Sequence, residues 1–129
     1  MLTHAPLVAF LSTHNSGASL VFYRDVLRLK LVEDTPFALV FDAAGMDLRI
    51  QKVDNVQKSA VTALGWTVKD IEAVVDGLIE NGVAFKHFAG LAQDTRGIWQ
   101  SPGGAQVAWF HDPVGHLLSL TQMSPIAAV

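Results

Sequence analysis

Hydrophobic and polar residues alternate with a period of two in several short stretches of this chain, and twice that pattern gives way to a helical period. Residues 7–13 read as a strand of aliphatic side chains around Phe10. Asn15 or Ser16 then offers a side-chain oxygen to the free amides of a helix start. Leu20, Phe22, Tyr23, Val26 and Leu27 share one broad face of that helix, with Arg24 and Asp25 opposite. Residues 30–33 and 37–42 follow as strands, divided by the turn signal Asp34-Thr35-Pro36. In the second of these, Phe37, Leu39 and Phe41 face one way and Ala38, Val40 and Asp42 the other. Beyond Ala44-Gly45, residues 46–53 alternate cleanly, setting Met46, Leu48 and Ile50 against Asp47, Arg49 and Gln51.

A polar connector at 54–60 precedes a second cycle. Residues 64–68 read as a strand, and Asp70 caps a helix reaching Glu80 or Asn81. Ile71, Val74, Val75, Leu78 and Ile79 form its apolar stripe, and Asn81-Gly82 ends it. Strands are expected at 84–88, at 105–110 with a possible partner at 98–100, and at 117–122; Gly103-Gly104 and Asp112-Pro113-Val114-Gly115 are turns. The order β-α-β-β-β therefore occurs twice, a repeat of topology rather than of sequence. Asn15 and Asp70 stand 55 residues apart, whereas Gly45 and Gly115, before the last strands, stand 70 apart. The second cycle is thus longer by about 15 residues. The surplus falls at 89–96, read as part of a long hairpin or as a loop covering a pocket mouth.

Composition limits what such a chain does. Half of the 129 residues are hydrophobic and 16% are charged, against about 25% in an average soluble domain, which leaves apolar surface for a pocket or a subunit contact. A net charge of −3 with scattered Lys and Arg argues against binding a nucleic-acid backbone. No apolar run reaches membrane-spanning length, the first residues lack a basic leader region and read as a strand, and a cytoplasmic location is the default expectation. With no cysteine there is no disulfide, thiolate ligand or cysteine nucleophile.

Three segments resemble the vicinal-oxygen-chelate family, which includes glyoxalase I, bleomycin-resistance proteins and extradiol dioxygenases. They are FYRDVLRLKLVED at 22–34, VKDIEAVVDGLIENGV at 68–83 and DPVGHLLSLTQ at 112–122. The first has Arg28 where that family usually has glycine, and the last resembles its turn before the closing strand. The resemblance implies an α+β fold of two βαβββ modules, about 1–56 and 57–129, whose mixed and antiparallel strands curl around a cleft. It also implies a homodimer. Family members that use a divalent metal take ligands from the first and last strands of each module. Those positions fall here on Val8, Arg49, Ala63 and Ser119, which offer no ligand atom, a fixed positive charge, no ligand atom and one hydroxyl. No metal cofactor is therefore expected. A lyase, isomerase or dioxygenase with atypical ligands, and a dimeric interaction protein without a small ligand, remain as alternatives.

Arg49 is the most informative single residue. On the non-core face it either meets a carboxylate or phosphate in the cleft or pairs with Asp47 or Glu33 at the surface; Gln51 shares that face. Ser119 and Thr121 on the last strand supply further polar groups. Among the aromatic residues, Phe10, Trp99 and Trp109 are candidate walls, the two tryptophans being nearest the long loop and the last turn. Of five histidines, His87 is the one candidate base, because a strand at 84–88 would put it on the face of Phe85. The expected function is metal-independent binding of a small, partly apolar, anionic molecule between the modules.

Overall fold

The computed structural model describes residues Met1–Ser124. Two compact units divide between Lys58 and Ser59, inside the polar connector. The first unit runs β1 (Val8–Thr13), α1 (Ser16–Val21), a π-helical turn (Phe22–Val26), β2 (Lys30–Asp34), β3 (Ala38–Ala43) and β4 (Met46–Lys52). The second runs β5 (Leu64–Thr67), α2 (Ile71–Glu80), β6 (Trp99–Gln100), β7 (Gln106–His111) and β8 (Leu117–Gln122). The sheets have the orders β1-β4-β3-β2 and β5-β8-β7-β6, each with one parallel pair between its first and last strands and antiparallel pairs elsewhere. Both units therefore share one topology, an α+β repeat of mixed sheets. No helix among the described residues is long and apolar enough to cross a membrane.

The register bears on the repeat directly. Phe10 pairs with Arg49 in the first sheet, and Gly65 pairs with Ser119 in the second, 55 and 70 residues further on. These are the offsets that the helix starts and the turn glycines give by sequence.

In the first unit Asn15 is the helix cap, its Oδ1 accepting from the Ala18 amide at 3.1 Å. Such a cap stabilises a helix by about 1 kcal/mol. Below it the buried Ser19 hydroxyl donates to Thr13 Oγ1 at 2.8 Å, which ties the helix to β1. The helix is not uniform as its periodicity suggests. It widens at Phe22, where the Leu27 amide reaches back five residues to the Phe22 carbonyl. Widening brings the fully buried Tyr23 ring to 5.8 Å from Phe41 of β3, a ring contact worth about 0.5–1.5 kcal/mol beyond its buried area. Arg28 closes the helix with φ 61°, and the Leu29 amide returns to the Tyr23 carbonyl. Leu11, Leu39, Phe41, Leu48 and Ile50 are buried on the same face of the sheet.

Phe37 departs from expectation. It lies outside the strand and is 77% exposed, although its parity matches Leu39 and Phe41. Thr35 Oγ1 accepts from both the Phe37 and Ala38 amides, so Phe37 sits in a side-chain turn just ahead of β3, although its carbonyl still accepts from the Lys52 amide of β4 at 2.8 Å.

In the second unit Asp70 accepts from the Ala73 amide, and Gln122 Oε1 accepts from that of Ile71, so two first-turn donors of α2 are satisfied. Ile71, Val75 and Leu78 are buried, and the helix lies against β7 and β8, where Ala108, Phe110, Leu118 and Leu120 complete the core. The Asp112-Pro113-Val114-Gly115 turn forms around Asp112 Oδ1, which accepts from the Val114 and His116 amides.

The strand expected at 84–88 is absent. Only Phe85 bridges to Phe110, and the third strand of this unit is the two-residue β6 instead. Gly90 and Gly97 at positive φ and a network of side-chain bonds favour irregular backbone from Val83 to Ile98, even though Phe85 and His87 alternate like a strand.

A candidate ligand-binding site

Cross-strand partners project to the same face of a sheet, so the pairing assigns each candidate residue to a face. Phe10, Arg49 and Val40 form one row on the face of the first sheet opposite Tyr23, and Ser12, Gln51 and Ala38 form the next. Phe10 is 57% exposed, Arg49 half-buried and Gln51 exposed. Neither surface pairing expected for Arg49 forms. Among the described residues its guanidinium makes no ion pair, and neither Asp47 nor Glu33 takes part in one.

In the second sheet Gly65, Ser119 and Trp109 form the equivalent row, and Thr67, Thr121, Val107 and Trp99 the next. The sheet thus brings Ser119, Thr121, Trp99 and Trp109 to one face, opposite the face that Gln122 shares with the start of α2. A Cβ on Gly65 would stand 2.6 Å from Ser119 Oγ, so Ser119 occupies the space beside this glycine.

On this face lies a cavity of about 500 Å³, lined by Ala60, Val61, Thr62, Phe88, Leu91, Trp99, Trp109 and Leu117. Its aromatic wall is a chain of contacts. Phe88 meets Trp109 edge-on, with ring centres 5.3 Å apart at 85°, and Trp109 lies 6.1 Å from Trp99 at 34°. Among the described residues no ionisable side chain lines it, and the polar side-chain groups are the Thr62 hydroxyl and the indole N–H groups. Lys86 Nζ sits 5.8 Å from the centre of the Phe88 ring, so a cation already engages that ring.

Two members of the wall, Phe88 and Leu91, come from the segment where a hairpin strand was expected. From the surplus at 89–96 Leu91 therefore reaches the cavity, and Phe88 stands just before it. Ser119 and Thr121 share the cavity's sheet face but do not line it. His87 does not line it either: it is exposed on irregular backbone, and the strand that would have aimed it beside Phe85 does not form. Phe88 and the segment 60–62 carry no signal in the sequence, whereas Leu91 lies in the length surplus at 89–96, one reading of which is a loop covering a pocket mouth.

The segment is held by polar bonds. Asp94 accepts from the Arg96 and Ile98 amides, both at 2.9 Å. Burial pushes the Asp94 carboxyl up, but those two amides and the Arg96 guanidinium outweigh it and hold the group below the usual carboxylate range. Arg96 spans Glu72 and Asp76, one turn apart on α2, at 2.8 and 3.2 Å.

Each position where the resemblance implies a metal ligand is now placed. Val8 lies on β1, Ala63 just before β5, Arg49 on β4 and Ser119 on β8. Two aliphatic side chains, a guanidinium and one hydroxyl do not fit a divalent ion. Among the described residues no cluster of three or more His, Asp or Glu side chains is placed to hold one either.

The fold recurs in solved structures of low sequence identity. A lactoylglutathione lyase from Agrobacterium tumefaciens superposes with a TM-score of 0.73 at 15% identity, covering 95% of this chain and 96% of that one. A fosfomycin resistance protein, FosX, from Listeria monocytogenes gives 0.72 at 14% identity, covering 95% and 96%. A superfamily member from Sphaerobacter thermophilus gives 0.73 at 19%, covering 95% and 100%. No curated protein matches the sequence significantly. A family model matches residues 7–120, and the chain belongs to the Glyoxalase/Bleomycin resistance protein/Dioxygenase superfamily.

Proposed function

We propose that this chain binds a small, partly apolar, anionic molecule without a divalent metal, and that the flat apolar part of that molecule stacks in the cavity of the second unit. The convergence of Phe88, Trp99 and Trp109 on a cavity without ionisable lining carries this reading. Aromatic walls favour a planar ring, and the absence of a lining carboxylate together with Lys86 over Phe88 disfavours a cationic one. Lys86, whose ammonium stands over the Phe88 ring of the cavity wall, is the ground for an anionic group. Such binding needs no bond to be made or broken.

Calorimetric titration with 2-naphthoate, a flat aromatic carboxylate, tests this. Binding is expected to be unchanged by a chelator and weakened about tenfold or more in Trp109→Ala. The purified protein is expected to carry no stoichiometric metal by mass spectrometry. Stoichiometric manganese, iron, zinc or nickel, with binding lost to chelator, would replace this reading with a metal-dependent lyase, isomerase or dioxygenase.

A further inference from the structure

The cavity's outer wall is made by a segment that ought not to hold still. Between Val83 and Ile98 the chain has no helix or strand, only the bridges Phe85 to Phe110 and Gln93 to Trp99. A stretch of this length without regular structure is ordered only if something specific fixes it. Asp94 closes its last turn, and Gln93 joins its two ends from within. Gln93 Oε1 accepts from the Phe88 amide at 2.7 Å, while its Nε2 donates to the carbonyls of Lys86 at 2.9 Å and Gly97 at 2.7 Å. Both donors and one acceptor site of a single carboxamide thus join backbone from the two ends of the segment. Gly97, at φ 99° and with only 3.1 Å between a hypothetical Cβ and Phe85 Cβ, lets the returning chain pass close enough for that bond.

Resting on the ligand-binding reading above, we propose that Gln93 is the positioning residue of the cavity: by holding the Phe88 backbone it sets where the Phe88 ring stands against Trp109. Gln93 does not line the cavity and acts through Phe88. The chemistry requires an amide at this position. A carboxylate of the same shape has no N–H to donate and would turn an oxygen toward the Lys86 and Gly97 carbonyls. The Arg96 bridges to Glu72 and Asp76 fasten the segment's far end to α2 but leave Phe88 unrestrained, so the two tethers have separate consequences.

The test compares Gln93→Glu and Gln93→Ala with the unaltered protein, using amide hydrogen exchange at Phe88 and titration with 2-naphthoate. In both variants the Phe88 amide is expected to exchange at least tenfold faster and 2-naphthoate affinity to fall at least tenfold, while the amides of Ile50 and Leu118 keep their protection. A merely structural role would lower protection throughout the second unit together with Tm. Unchanged Phe88 protection in either folded variant overturns the positioning role. So does unchanged affinity in a variant whose Phe88 amide has been released. If the unaltered protein and Trp109→Ala bind 2-naphthoate equally, the ligand-binding reading fails, and the exchange data alone still decide whether Gln93 holds Phe88.

Discussion

Replacing Arg28 with glycine is expected to stabilise the protein. Arg28 follows the π-helical turn with φ 61°, in the left-handed region where a Cβ crowds the following carbonyl oxygen. That crowding costs an L-residue about 1–2 kcal/mol. Glycine removes it but loses more backbone entropy on folding, by about 0.5–1 kcal/mol. The net expectation is a gain of about 0.5–1 kcal/mol. Nothing else offsets it, since Arg28 is exposed and makes no ion pair among the described residues. With an unfolding entropy near 2.1 cal/mol/K per residue, 129 residues give about 0.27 kcal/mol/K. The gain then corresponds to a rise in Tm of roughly 2–4 °C.

The assay is thermal unfolding by circular dichroism, with Arg28→Ala as control. Alanine keeps the Cβ in the same crowded geometry and removes no pairing, so its Tm should stay close to that of the parent, with a change within about 0.5 kcal/mol. Equal Tm values for the glycine and alanine variants would refute the reasoning, because the difference between them isolates the Cβ. A rise in both would assign the effect to charge instead.

Ala44 has φ 52° beside Gly45 at φ 87° in the two-residue turn between β3 and β4. Such a turn takes positive φ at both positions, so Ala44→Gly is expected to add about 0.5–1 kcal/mol, read as a higher urea midpoint at unchanged slope. The cavity wall should loosen in acid. A carboxyl held below its unfolded value contributes stability that is present above about pH 4 and is lost as pH falls through the depressed folded value. Exchange at the Ile98 amide, corrected for intrinsic rate, should therefore accelerate below about pH 4 in the parent. That acceleration should be weaker in Asp94→Asn, which keeps an acceptor but has no proton to take up; identical pH profiles would rule Asp94 out as the cause.

Period and capping carried most of the fold into the sequence. Asp70 and Asn15 announce their helices because each is a short acceptor side chain immediately ahead of an apolar helical pattern, and both bond the expected amides. The alternation through Leu48, Arg49 and Ile50 survives because a strand with one buried face fixes its register. What escaped was structure made by side-chain bonds to backbone. Thr35 sets Phe37 in a turn that hydrophobic parity does not register. Gln93 shapes the segment from Lys86 to Gly97, but a lone glutamine in a polar loop carries no pattern. The site was legible to the same extent: Trp99 and Trp109 come together because they lie on neighbouring strands, whereas Phe88 reaches them only because an irregular segment returns over the sheet.

The two units show how one topology can hold unlike chemistry. Phe10, Arg49 and Val40 in the first sheet correspond to Gly65, Ser119 and Trp109 in the second. A bulky ring and a guanidinium are thus replaced by a glycine and a hydroxyl, with Ser119 Oγ taking the space a Cβ on residue 65 would need, while the third position gains an indole. The links from helix to next strand differ as well. In the first unit only Leu27, Arg28 and Leu29 separate the π-helical turn from β2, too few to reach over a sheet face. In the second unit residues 81–98 separate α2 from β6, and from them come Phe88 and Leu91. The cavity therefore arises where the repeat is broken rather than at the ligand positions that the family fold provides. On the ligand-binding reading proposed above, its aromatic lining and the Gln93 carboxamide that holds the Phe88 backbone, rather than a metal-ligand set, are the place to look for selectivity.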